Sequence, residues 1–177
     1  MPLHDHFRTL ARYHAWATRR LLDAHVAALP EADYRRDCGL FFRSIHGTLN
    51  HLLVAEGALW FSRFARGVSP AGVALDAEIE PDRARLAARL VDAASAWGPF
   101  VDGLDGDRLG GAFHYTTSKG VPTTLPFAAT LAHVFNHATH HRGQITAALT
   151  AMGRPCPELD LVYMLQAESR NPPEVSR

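Results

Sequence analysis

Four of the eleven histidines of this chain lie within nine residues, at positions 133, 137, 140 and 141. Residues four apart share one face of a helix, so His133, His137 and His141 would form a stripe along it. Two imidazoles one helical turn apart can bind the same metal ion. A lone histidine at a helix border is more often an ordinary hydrogen-bonded residue, but a pair at this spacing favours a metal site.

The apolar residues of the same helix predict which of these histidines face the interior. At about 100° per residue, His141 falls inside the apolar arc and His137 on its edge. His133 lies further round, and His140 faces away. We therefore expect His137 and His141 to be ligands, His133 to be an outer neighbour and His140 to be a surface residue.

Two histidines seldom make a durable site, and the second predicted helix offers a third. His51 lies there beside a flank of small residues that would leave room for an ion, whereas His46 lies on another side and is a weaker candidate. Glu56 falls in the middle of this helix's apolar arc, where an unpaired carboxylate would be costly. Two interpretations of Glu56 stay open: a proton acceptor or hydrogen-bond partner beside the metal, or a buried salt bridge to Arg142 or to an arginine of the first helix.

A site of three histidines would leave at least one coordination position open, as in catalytic rather than structural zinc sites. An ion in such a site can lower the pKa of bound water to about 7, or polarise a carbonyl or a thiol. Neutral imidazoles suit zinc, nickel, iron or copper. The residue types therefore indicate a divalent metal without choosing among these.

Three further residues of the interior carry weaker expectations. His14 and His25 lie on the inner face of the first predicted helix and are expected to be hydrogen-bonded core residues. Gly143 lies in mid-helix, where glycine costs about 1 kcal/mol relative to alanine. We expect it to allow the close approach of another helix.

Hydrophobic periodicity predicts four long amphipathic helices and one strand-like insertion. The fold class is therefore all-α, a four-helix bundle with a short β-hairpin or extended insertion before the last long helix. One domain is expected over residues 1–170, followed by a flexible tail. The helices are predicted at about 4–29, 44–66, 81–103 and 126–152, the strand-like segments at 112–117 and 121–125, a short helix at 161–168 and the tail at 171–177.

Composition excludes several classes of function. The 18 basic and 18 acidic residues balance, so nothing attracts a phosphate backbone over long range and nucleic acid is not an expected partner. No apolar run is long enough for a membrane span, and the N-terminus lacks the pattern of a secretion signal. Cys38 and Cys156 match no redox or zinc-finger pattern and are expected to be free thiols. The cytoplasm is the simplest location.

Six segments of the chain carry a further signal: ARYHAWA at 11–17, SIHGTLNHLL at 44–53, Ala55-Glu56, Trp60, HVFNHATHHRGQ at 133–144 and GRPCPELD at 153–160. Together they resemble the DinB family. The resemblance implies a four-helix bundle, often a homodimer, and a divalent metal held by His51, His137 and His141. Relatives usually have asparagine where this chain has His14 and Thr18, a departure that could alter the pocket but removes no ligand.

The resemblance also implies a range of reactions, since characterised relatives include thiol-dependent transferases and isomerases. We expect a metal-dependent enzyme, a thiol-dependent transferase or a hydrolase, acting on a small electrophilic substrate. Its partner would be a low-molecular-weight thiol, and its cofactor would be zinc, nickel or iron. Glu56 or His133 would act as the base. The alternative is a non-catalytic, stress-associated metal-binding dimer. A helical DNA-associated protein is disfavoured by the balanced charge.

Overall fold

The computed structural model describes residues 2–170 and is mostly helical, with one small two-stranded sheet. The predicted tail at 171–177 lies outside the described residues. The α-helices are α1 (Leu3–Leu21), α2 (Glu31–Arg35), α3 (Ile45–Leu52), α4 (Phe61–Arg66), α5 (Arg83–Asp102), α6 (Phe127–Ala151) and α7 (Leu161–Arg170). The π-helical segments Leu22–Val26 and Leu53–Trp60 extend α1 and join α3 to α4.

The helical stretch that carries His51 begins and ends as its sequence predicts. Ser44 has an extended backbone, and its side-chain oxygen accepts a hydrogen bond from the Gly47 N–H at 3.0 Å. Such a cap satisfies one of the free N–H groups at a helix N-terminus. The stretch ends at Gly67, which has a φ of +71° and adopts the left-handed conformation that glycine tolerates.

The loop between the first two long helical stretches contains a short helix that periodicity did not predict. Pro30 precedes α2, and Glu31 and Asp33 lie in its first turn, where acidic side chains interact favourably with the positive end of the helix dipole. Tyr34 in α2 is completely buried. Five residues are too few to show an apolar repeat, so a single buried tyrosine anchors this turn without a detectable pattern.

The strand-like insertion is a β-hairpin. β1 (Ala112–Thr116) pairs antiparallel with β2 (Pro122–Pro126), and Phe113 lies opposite Leu125. An isolated hairpin is marginally stable, so it needs a surface to pack on. Phe113 provides the contact, because its ring stacks on Phe64 of α4 at 4.1 Å and meets Phe127 of α6 edge-on at 5.8 Å.

The long helical stretches pack on one another around two apolar clusters. α1 packs against α5 and α6, and α3 also packs against α5 and α6. One cluster is mainly aliphatic and includes Ile45, Leu49 and Leu149, while the other is rich in aromatic rings around Trp97 and Phe135. Among the described residues, no helix is both long and apolar enough to cross a membrane. The contact between α3 and α6 brings together the two segments that carry the candidate ligands.

Candidate metal centre

Three imidazole rings from α3 and α6 converge on one point. The Nε2 atoms of His51 and His137 are 3.2 Å apart, and those of His137 and His141 are also 3.2 Å apart. One ligand atom from each of the three rings lies within 4.8 Å of the others. The sequence prediction that these three side chains lie together is confirmed by their geometry. Such a group could hold a metal ion.

Hydrogen bonds at the opposite ring nitrogens orient two of these histidines. The Nδ1–H of His51 donates to the carbonyl oxygen of Leu75 at 2.8 Å, and that of His141 donates to the Gln144 side-chain oxygen at 2.8 Å. Because these oxygens can only accept, the proton lies on Nδ1 and Nε2 keeps its lone pair. Holding a ligand histidine through its second nitrogen is the usual arrangement around protein-bound metals.

The third ring is held by a carboxylate. The Nδ1 of His137 lies 3.5 Å from Oε1 of Glu56, in a long hydrogen bond. The lone pairs of all three Nε2 atoms therefore point into the same small space. With the His137 proton on Nδ1, the three Nε2 acceptors repel one another at this distance, and a cation between them would bind all three lone pairs.

The spacing of the nitrogens fits a transition-metal ion. Two nitrogens 3.2 Å apart, each about 2.0–2.1 Å from one ion, would subtend roughly 100–106° at that ion. This range lies just below the tetrahedral angle. Three neutral imidazoles are a donor set that suits zinc, nickel or iron, and three protein ligands leave a further position for another molecule.

Burial keeps two of the candidate ligands uncharged. Desolvation lowers the pKa of His51, and desolvation, followed by the neighbouring histidines, lowers the pKa of His141 to about 4. Both rings are therefore neutral near pH 7, in the state that binds metals. A cation would not have to displace protons from these two positions at that pH.

Glu56 lies behind His137, in a completely buried position that raises the pKa of its carboxyl group by desolvation. Its two oxygens face two histidines, Oε1 at 3.5 Å from His137 and Oε2 at 3.3 Å from His14. The salt bridge between Glu56 and Arg142 that was one alternative does not form, because the Arg142 guanidinium contacts His14 at 3.1 Å instead. The structure therefore connects Glu56 to the candidate metal centre.

The remaining histidines take different positions. His133 is exposed, with its ring 5.7 Å from His137 and 5.2 Å from Trp60, and His140 is exposed as expected. His46 is buried and bonds to other groups, with Nδ1 3.1 Å from the Tyr34 hydroxyl.

Two weaker expectations are wrong. His25 is only partly buried, and its Nδ1 lies 3.1 Å from the carbonyl oxygen of Pro155, so it is not a core residue. Gly143 is exposed, and a Cβ atom added there would meet nothing within 4 Å. It therefore does not serve the close approach of another helix, and its presence in α6 has no structural explanation.

Sequence reasoning missed the aromatic ring that covers the site. Phe42 stacks on His51 with ring centroids 3.7 Å apart and lies 5.6 Å from the His141 ring. Its carbonyl oxygen approaches Gly47 so closely that a Cβ there would lie 2.2 Å from it. The glycine one turn before His51 was the available signal, because a glycine inside a helix can mark a close backbone contact.

Comparison with known proteins supports the resemblance seen in the sequence. The model of the DinB family matches residues 1–174 of the chain. No curated protein and no solved structure gave a significant match.

Proposed function

Because the chain belongs to the DinB family and brings three histidines together, we propose that it binds a divalent metal and is a metal-dependent enzyme. The proposed ligands are Nε2 of His51, His137 and His141. The proposed reaction is the transfer of a low-molecular-weight thiol to a small electrophilic substrate, or the hydrolysis of such a substrate. The observation that carries the proposal is the 3.2 Å convergence of lone pairs whose rings are fixed from behind.

The protein's own residues hold and orient the three ligand rings. When bound, a divalent ion supplies the positive charge that lowers the pKa of a thiol or water and polarises the electrophile. Leu75, Gln144 and Glu56 keep the ligand rings in place, and Phe42 shields one face of His51 from water.

Of the two candidate bases, His133 is better placed than Glu56 to take a proton from a substrate. Its ring is exposed beside His137, and partial burial lowers its pKa, so its neutral form dominates near pH 7. Glu56 is buried, and each of its oxygens already faces an imidazole nitrogen, at 3.3 Å from His14 and 3.5 Å from His137. We therefore propose His133 as the base and assign Glu56 to the support of His137.

The wider setting of the site is part of the same proposal. The pairwise packing of α1, α3, α5 and α6 supports a four-helix bundle formed by one domain. Both cysteines, Cys38 and Cys156, are free, which supports a reducing compartment such as the cytoplasm. The homodimer and the thiol partner rest on family membership alone.

Metal analysis of single-histidine variants tests the ligand assignment. His137→Ala and His141→Ala should abolish stoichiometric metal binding, because each removes one of three ligands. His140→Ala is the matched control, since it lies on the same helix beside His141 but faces solvent. Equal metal content in all three variants would refute the assignment.

Activity assays of the metal-loaded protein separate the proposed reactions. Turnover of electrophilic substrates only in the presence of added low-molecular-weight thiols would support transfer, and turnover in water alone would support hydrolysis. A coordinatively saturated ion that accepts no further ligand would favour the non-catalytic metal-binding dimer.

A further inference from the structure

Behind the three ligand nitrogens, three buried side chains and the half-buried His137 form one continuous series of polar contacts. A terminal nitrogen of Arg142 lies 3.1 Å from Nδ1 of His14, and Nε2 of His14 lies 3.3 Å from Oε2 of Glu56. Oε1 of Glu56 then accepts from Nδ1–H of His137. This series, Arg142–His14–Glu56–His137, joins α1, the π-helical segment Leu53–Trp60 and α6.

The chemistry of its members gives the series one direction. A guanidinium can only donate, so Nδ1 of His14 must accept and its proton must lie on Nε2. That N–H then faces Oε2 of Glu56 at 3.3 Å, and the other oxygen, Oε1, accepts a hydrogen bond from Nδ1–H of His137. The direction set by Arg142 thus ends with Nε2 of His137 as a bare lone pair, which is the state a metal ligand requires.

Arg142 is itself held in place at the far end of the series. Its second terminal nitrogen donates to the Thr139 hydroxyl at 3.1 Å, and its guanidinium lies 5.3 Å from the centre of the Tyr13 ring. Arg142 and His14 are each about 2% exposed. Its Nε finds no hydrogen-bond partner among the described residues, so the burial carries a cost.

Stability alone does not account for such a group. Apolar side chains of similar volume usually stabilise a core as well as a buried charged network does, because charged groups lose their hydration. The series meets the candidate metal centre at His137, so a functional role is expected to act through that residue. Polar groups that orient a ligand histidine in this way typically contribute 10- to 100-fold in metal affinity.

We propose that Arg142 and His14 are positioning residues of the metal centre, which fix the tautomer and orientation of His137 through Glu56 without touching the metal. This inference rests on the proposed metal-binding function. It gives a role to Arg142, which follows His141 in the sequence. Its guanidinium contacts His14 and Thr139 rather than the three ligand nitrogens.

Two variants break the series at different points. Arg142→Met keeps an unbranched side chain in place of the apolar stem of arginine and removes every donor, and His14→Phe keeps a ring and removes both nitrogens. His14→Gln is the conservative variant, because an amide can still accept from Arg142 and donate to Glu56. His46→Phe is the matched control, since His46 is also buried and hydrogen-bonded but bonds to Tyr34 and Glu78.

The first measurement uses the metal-free protein. Long-range ¹H–¹⁵N correlation spectra of the imidazole nitrogens should show the proton of His137 on Nδ1 in the wild type and in His46→Phe. In Arg142→Met and His14→Phe the proton should move towards Nε2 or divide between the two nitrogens. A loss of packing alone would lower stability without changing this signature.

The second measurement is zinc affinity, determined by competition with a chromophoric chelator. We expect affinity to fall about 10- to 100-fold in Arg142→Met and His14→Phe, to stay near the wild-type value in His14→Gln and to be unchanged in His46→Phe. If either disruptive variant does not fold, the other carries the test.

Failure of this inference differs from failure of the metal proposal. Folded Arg142→Met or His14→Phe with wild-type tautomer and wild-type zinc affinity would overturn the role of the series. Absence of zinc binding by the wild-type protein would overturn the metal-binding function instead.

Discussion

Replacing Gly47 with alanine should destabilise the protein, although glycine-to-alanine changes inside helices normally do the opposite. Gly47 lies in α3, and its missing side chain leaves room for the carbonyl oxygen of Phe42. A Cβ there would lie 2.2 Å from that oxygen, nearer than non-bonded atoms approach. The turn that carries Phe42 would have to move, and with it the ring stacked on His51.

Two opposing contributions set the size of the effect. The helix gains about 1 kcal/mol when alanine replaces glycine. Overpacking against a neighbour that is backbone typically costs about 1–3 kcal/mol, and here it also threatens the N-terminal cap between Ser44 and the Gly47 N–H, worth about 1 kcal/mol. We therefore expect a net loss of roughly 1–3 kcal/mol in the free energy of unfolding.

Gly143→Ala is the matched control, because it makes the same substitution inside α6 where nothing lies within 4 Å of the new atom. It should gain up to about 1 kcal/mol. For a chain of this length, thermal unfolding of the metal-free proteins should show changes of about 2–4 °C per kcal/mol, downward for Gly47→Ala and upward for Gly143→Ala.

Metal affinity adds a second comparison. Displacement of Phe42 from His51 should weaken zinc binding in Gly47→Ala and leave it unchanged in Gly143→Ala. If Gly47→Ala unfolds at the same temperature as Gly143→Ala, or at a higher one, the close contact with Phe42 is not a constraint and the reasoning fails.

Two further predictions concern buried polar groups. Burial lowers the pKa of His14, His51 and His141, so below about pH 6.5 the unfolded chain binds protons that the folded, metal-free protein does not, and the free energy of unfolding falls with falling pH. Burial raises the pKa of Glu56 and acts in the opposite direction, but it is a single group against these three histidines and His133, whose pKa is also lowered. Unfolding temperatures measured from about pH 7 to pH 5 should therefore decrease; an increase would contradict the assignment of neutral buried rings. Trp97 is completely buried, and its N–H has no hydrogen-bond partner among the described residues. In urea denaturation, Trp97→Phe should therefore lower the free energy of unfolding far less than Trp97→Ala, which should lower it by roughly 3–5 kcal/mol. Equal losses for the two variants would refute this reasoning.

Features that repeat along the chain could be predicted from the sequence. The start of the second helical stretch at Ser44 is set by local capping chemistry, and the long helices follow from apolar periodicity that extends over several turns. The three histidines could be placed together because helical spacing fixes which side of α6 carries His137 and His141. The capping and periodicity predictions depend only on neighbours within a few residues, whereas joining His51 to the other two histidines also depended on the resemblance to the DinB family.

The parts that could not be predicted depend on the contact of distant segments. Leu75, whose carbonyl oxygen holds His51, lies in a loop without periodicity, and its side chain plays no part in that bond. Phe42 lies in another loop, and nothing in its own sequence shows that its ring covers an imidazole. The partner of Glu56 was misjudged because helical geometry places a carboxylate in the interior but cannot tell which of several buried groups it meets.

The three rings are anchored by three different parts of the fold, and this arrangement has a physical consequence. His51 is held by a backbone carbonyl in the loop that follows α4, His141 by Gln144 on its own helix, and His137 by Glu56 on the helical stretch opposite. Because each ring is fixed independently, no single side-chain rotation can relieve the repulsion among the three Nε2 lone pairs. When all three protons lie on Nδ1, the fold therefore maintains this repulsion in the metal-free state, and a bound cation would relieve it and bind more tightly.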